Sequence, residues 1–248
     1  MSRRTPVVLL LLLLAVPAVT RAQHQASVGL DIAVPQKDFA ENTDTGYGVA
    51  ASYLYALHPS RAISIGVTGA FLSYGSTERR VGLSSSIPDI RVDVETSNNN
   101  GYVQAVLAIK APTKIVQPYV QANGGYGWFY TTTSLKNPLN DETVLTSTNQ
   151  SDGTWVWGGG GGIQVRVYEA KPEAESLSAY ERADAPVRRR QPLRVYADLG
   201  VHYLRGGEVE YLKEGSLVTD DGEYDPDPRL ARSEIDALQY IIGVTVEF

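Results

Sequence analysis

The sequence predicts an all-β chain: an eight-stranded antiparallel up-and-down transmembrane β-barrel. Three observations predict it. Eight segments alternate apolar and polar residues with a period of two. Several exceed the roughly 5–6 residues usual for strands of globular proteins and approach the 10 or so that a tilted bilayer crossing needs. The polar face of these segments carries glycine, small residues and uncharged amides, where a water-facing surface would carry Lys and Glu.

Taken in order, the segments are 27–34, 46–57, 62–74, 101–110, 117–131, 154–168, 194–204 and 238–248. Turn chemistry separates them: His58-Pro59, Ala111-Pro112-Thr113 and Asn98-Asn99-Asn100-Gly101. The connections are unequal. Those around Pro59 and Pro112–Val116 are tight, whereas 75–100, 132–153 and 205–237 are expected to be long loops on the opposite end. Short periplasmic turns and long external loops are the pattern of outer-membrane barrels. The charged joint 169–192, with Pro172, Pro186 and Arg188-Arg189-Arg190, is an unusually long inner connection and reads as a flexible insertion.

The first residues read as an address. Arg3 and Arg4 precede an apolar run, Val7–Val16, and Thr20-Arg21-Ala22 offers a cleavage site. The run is shorter than the ~20 residues of a spanning helix, so residues 1–22 are expected to be a signal peptide and 23–248 the barrel. Cleavage removes three arginines, leaving 19 Lys+Arg against 28 acids, a charge of about −9. Such a chain is a poor partner for nucleic acid. It has no Cys, which excludes disulfides and thiolate metal sites.

Alternation assigns the two faces. Outward positions include Val28, Leu30, Ile32, Ile63, Ile65, Val67, Val103, Leu107, Ile109, Leu199 and Val201. Aromatics of the same parity fall near strand ends, where amphipathic rings suit a headgroup boundary. Tyr47, Phe71, Trp128, Tyr130, Trp155, Trp157, Tyr203 and Tyr240 form one expected girdle, and Tyr53, Tyr55 and Phe248 the other. Inward positions include Gly48, Ala50, Ser64, Gly66, Gln121, Asn123, Gly158, Gly160 and Gln164. Ionisable groups of inward parity are Asp31, Lys110, Arg166, Arg194, Asp198, His202 and Glu247. A charge inside a narrow barrel must be paired, so Asp31, Lys110, Arg166, Arg194, Asp198 and Glu247 are expected to form an ion-pair network that plugs the lumen.

With these faces assigned, the chain resembles the small outer-membrane barrel family of OmpA- and OmpX-like proteins. The stretch Gly29–Phe39, with Val34-Pro35 and Asp38-Phe39, resembles that family's first hairpin, and Tyr47-Gly48 and Tyr53–Pro59 continue the likeness. Tyr240, Ile242, Val244, Val246 and Phe248 alternate on the last strand as in the family's C-terminal assembly signal. The resemblance implies insertion by the barrel-assembly machinery and a home in the bacterial outer membrane among lipid and lipopolysaccharide. The long inner joint departs from the pattern. No residue follows Phe248, so no periplasmic peptidoglycan-binding domain is expected after it.

Catalysis has little support. His24, His58 and His202 are the only histidines. His202 and Asp198 share a strand face four residues apart, ~13 Å along the chain and too far for a direct dyad. The acids Asp220, Asp221, Glu223, Asp225 and Asp227 lack EF-hand spacing and read as a solvated loop. Gly158–Gly162 lacks the following Lys-Ser/Thr of a nucleotide loop and reads as close packing within a strand. No cofactor or metal is therefore expected. The expected role is structural, or surface interaction through the outer loops. The alternatives are a narrow permeation barrel for small or apolar solutes and, behind it, a lipid-modifying enzyme. The sequence names no extracellular ligand.

Overall fold

The computed structural model describes residues 23–41, 43–84, 87–111, 113–136, 143–170, 192–212 and 230–248. The expected signal peptide, residues 171–191 of the inner joint and the acidic run 220–227 lie outside the described residues. Eight strands close into one antiparallel barrel in chain order: β1 (His24–Pro35), β2 (Gly46–Ala56), β3 (Ile63–Ser84), β4 (Ile87–Lys110), β5 (Val116–Lys136), β6 (Thr143–Glu169), β7 (Arg194–Leu212) and β8 (Leu230–Glu247). β1 closes on β8 from Gln25↔Glu247 to Pro35↔Ala237. Two backbone bonds between His24 and Phe248, 3.2 and 3.0 Å, finish the seam. Closure leaves no strand edge in the wall, the condition for a sheet to cross lipid.

At the end bearing the short turns, the strand limits follow the alternation to within three residues. At the other end they run much further. The loops expected at 75–100 and 132–153 are largely strand, as are both ends of 205–237. Beyond the lipid both faces of a hairpin meet water, so the apolar–polar contrast that marks a strand disappears while the hydrogen-bond ladder continues. The connection from β1 to β2 is also not a plain loop. It contains a 3-10 turn, Lys37–Glu41, entered through Lys37 at φ 53°.

The exterior is apolar. Leu30 is 61% exposed, Val67 53%, Val103 54% and Ile109 52%. In water such a surface would drive association, whereas in lipid it is the required face. Glycine on the inward face leaves room for the backbone and side chains of the neighbouring strand. A Cβ at Gly160 would collide with the Val201 carbonyl and the His202 ring, and one at Gly48 with the Phe71 carbonyl. The lumen is less polar than the sequence implied. Leu72, Tyr74, Tyr102, Phe129, Val156 and Leu204 all point inward and are buried.

Candidate functional site

The lumen divides into three levels. At the turn end, Glu247 on β8 is almost fully buried and receives two cations. Arg61 reaches it at 2.6 Å from the β2–β3 turn and Lys110 at 2.9 Å from the end of β4. Tyr196 donates to the same carboxylate at 3.1 Å, and Lys110 also donates to Gln25. This clamp ties the last strand across the barrel to β4 and the β2–β3 turn, and joins its neighbours β1 and β7 to the same cluster. Arg61 is held in place by a left-handed backbone, φ 57°, which a non-glycine residue adopts at a cost.

The middle level is hydrogen-bonded rather than ionic. Asp31 accepts from Tyr102 at 3.1 Å and from Gln239 at 3.0 Å. Asp198 accepts from Tyr119 at 3.0 Å, Gln164 at 2.8 Å and Thr245 at 2.9 Å. Asn123 donates to Gln104 at 2.7 Å. A cavity of about 60 Å³ lies among these groups, room for about two waters. Gln104 Nε2, Asn123 Oδ1, Gln164 Oε1 and His202 Nε2 have no protein partner, so the cavity is polar enough to be wet.

At the hairpin end an apolar plug fills the barrel. Phe39, carried in by the 3-10 turn, is 1% exposed. Its ring meets Tyr74 edge-on at 5.6 Å and Phe129 edge-on at 5.8 Å. Leu72, Val156, Leu204, Val209 and Ile235 belong to the same cluster. Lys37 fastens the turn from outside at 3.1 Å to Asp236, which also accepts from Tyr203 at 2.6 Å. The hydrogen bond to Asp236 pushes the Lys37 ammonium up from the ordinary lysine range.

Of the six residues expected to form one network, Lys110 and Glu247 are the two that form an ion pair with each other among the described residues; Arg194 lies opposite Glu247 in the β7–β8 register. Arg166 and Arg194 instead share Glu169, at 2.6 and 2.7 Å. Asp31 and Asp198 meet neutral donors. Arg61, Glu169 and Phe39 went unassigned from the sequence because two sit in connections and one at a strand end, where period two no longer fixes direction. His202 lies on the lumen wall, buried, with its ring against Gly160. Among the described residues no group of three His, Asp or Glu side chains could hold a metal ion.

The exterior carries the expected aromatics. Tyr47, Tyr55, Phe71, Trp128, Trp155, Trp157, Tyr203, Tyr240 and Phe248 are exposed, and Tyr53 and Tyr130 are half-buried. Tyr126 and Tyr168 also belong to this surface; the same parity would have found Tyr126. Tyr126 packs edge-on against Trp155 at 5.8 Å. On β8, Tyr240, Ile242 and Val244 are exposed and Val246 is half-buried, and Phe248 just after the strand is exposed. At the seam His24 stacks on Phe248 at 6.0 Å and bonds the Tyr53 hydroxyl at 2.6 Å.

A closed barrel with an apolar exterior and a filled interior defines an integral membrane β-barrel. Residues 7–184 match the outer membrane protein beta-barrel domain, and the chain belongs to that family. No curated protein matches the sequence. Similar solved structures include Ail, the attachment invasion locus protein of Yersinia pestis, at 12% identity with a TM-score of 0.37, covering 91% of this chain and 97% of that one. Neisserial surface protein A has 14% identity and a TM-score of 0.39, covering 91% and 96%. A major outer membrane protein from Thermus thermophilus has 12% identity and a TM-score of 0.38, covering 91% and 99%. Likeness at this level says nothing about ligand or role.

Proposed function

We propose that this chain is a structural barrel of the bacterial outer membrane, with a closed, non-catalytic lumen and hairpins that engage the cell's surroundings. In this reading residues 1–22 direct export and are removed. The outward row of β8 serves the barrel-assembly machinery, and the turn end faces the periplasm. The carrying observation is that unrelated groups occupy the lumen at its two ends, the Glu247 clamp at one and the Phe39 cluster at the other, and both support a closed lumen. The central cavity of about 60 Å³ is too small for a permeating solute.

The hairpins support the second half of the reading. β3–β4, β5–β6 and β7–β8 continue past the girdle, and β7–β8 carries exposed ion pairs, Arg205–Glu234 at 3.1 Å and Arg232–Glu208 at 3.2 Å. Lipopolysaccharide and external ligands are the partners such a surface would meet. One observation favours permeation of apolar solutes instead: the hairpin-end mouth is lined by Phe39, Tyr74 and Phe129. Proteoliposome uptake separates the two readings. Liposomes with the folded barrel should take up arabinose and a small alkane no faster than empty ones. Saturable uptake of either solute would replace the structural reading with the permeation one.

A further inference from the structure

The turn-end mouth holds more positive charge than its seal uses. Arg61 and Lys110 converge there with Lys114 from the β4–β5 turn, Arg166 on β6 and Arg194 on β7, around one cavity of about 230 Å³. Their paired carboxylates are Glu247, shared by Arg61 and Lys110, and Glu169, shared by Arg166 and Arg194. Among the described residues Lys110, Lys114, Arg166 and Arg194 alone set four cations against these two carboxylates, an excess of positive charge. The side chains of Arg166 and Arg194 are 23% and 25% exposed, and that of Lys110 is 5% exposed, so solvent screens this excess only in part. Like charges held this close on a half-buried wall cost free energy until an anion joins them.

The geometry has the features of an oxyanion site. Arg166 and Arg194 each meet Glu169 through one nitrogen, and a guanidinium carries five N–H donors in a planar fork that suits phosphate. Gln117 lines the same cavity with a buried Oε1 that has no protein partner; it is placed to accept from a hydroxyl, whether of a protonated phosphate or of water. The volume equals that of about seven waters, enough for a phosphate or pyrophosphate with some hydration.

We propose that the turn-end mouth binds a phosphate-class oxyanion between Arg166, Arg194, Lys110 and Lys114. A phosphate group could come from a free solute or from a lipid headgroup. The cavity lies at the mouth of the lumen, lined half by the two turns and half by strand-end residues, and not by the exposed apolar row; this favours the free solute.

The test uses the full folded chain in phosphate-free detergent, titrated calorimetrically with pyrophosphate at constant ionic strength in chloride. Saturable one-to-one binding is expected. Lys114→Gln, on an exposed turn and therefore safe for folding, should weaken it several-fold, and Arg166→Gln about ten-fold, the worth of one charge-assisted bond. Glu169→Gln should tighten it several-fold by releasing two guanidinium groups. A parallel titration with short-chain phosphatidylglycerol in the micelle identifies the source. Saturation by the lipid alone would keep the phosphate chemistry but overturn the free-solute assignment. Heat no different from that of chloride, or pyrophosphate binding unchanged in Lys114→Gln and Glu169→Gln, would overturn the site itself.

Discussion

The two ends of the lumen are filled by opposite chemistry. At the turn end a buried carboxylate on the last strand draws in cations from a turn and from β4. At the hairpin end a loop folds back and inserts Phe39 among Tyr74 and Phe129. The difference follows from what each end can offer. The β2–β3 and β4–β5 turns are too short to fold inward, and beside them long side chains reach across the lumen. The longer β1–β2 connection can carry a ring into the mouth. The charged seal is therefore built into barrel closure, whereas the aromatic seal is an added part that could be removed from a closed barrel.

This contrast can be broken in several ways. The largest effect should come from Glu247→Lys, which leaves Arg61 and Lys110 facing a third cation. Removing a buried pair's partner typically costs about 3–5 kcal/mol, and reversal should cost no less. Urea unfolding in liposomes would show it, and an unshifted midpoint would refute the clamp. Phe39→Ala should cost about 3 kcal/mol, the lower end for a buried aromatic because the plug is near the mouth. The barrel should nonetheless keep its heat-modifiable migration, since the wall is untouched. A loss of closure would show that the two seals are not independent.

Smaller effects refine the middle level. Asp198→Asn leaves three neutral donors sharing one acceptor oxygen, at a cost of about 1–3 kcal/mol. The cost should persist in high salt, because no cation is involved. Arg232→Ala breaks only exposed pairs on the β7–β8 hairpin, which solvent screens. No measurable change in unfolding is expected there, and a clear loss would mean the hairpin is part of the folded core.

What was legible in the sequence follows the same divide. Within the lipid, one face must be apolar and the other must fit a narrow lumen, so period two gives the eight strands, the outward rows from Val28 to Phe248, and the inward Lys110 and Glu247. Outside the lipid that contrast is lost, and strand limits such as Ser84 and Thr143 could not be read. Direction was equally unreadable where the backbone leaves the strand. Arg61 looks like a turn residue until its left-handed backbone is seen to aim it at Glu247, and Phe39 looks like part of a hairpin until the 3-10 turn buries it. The partners of Asp31 and Asp198 were missed for another reason. Charge invites a search for countercharge, while Tyr102, Gln239, Tyr119, Gln164 and Thr245 supply neutral donors.

The closed lumen is tested most directly by single-channel recording of the full folded barrel in a planar bilayer. No discrete openings should appear for the native chain across the applied voltage range. Reproducible unitary steps from the native chain would contradict a lumen sealed by Glu247 at one end and Phe39 at the other.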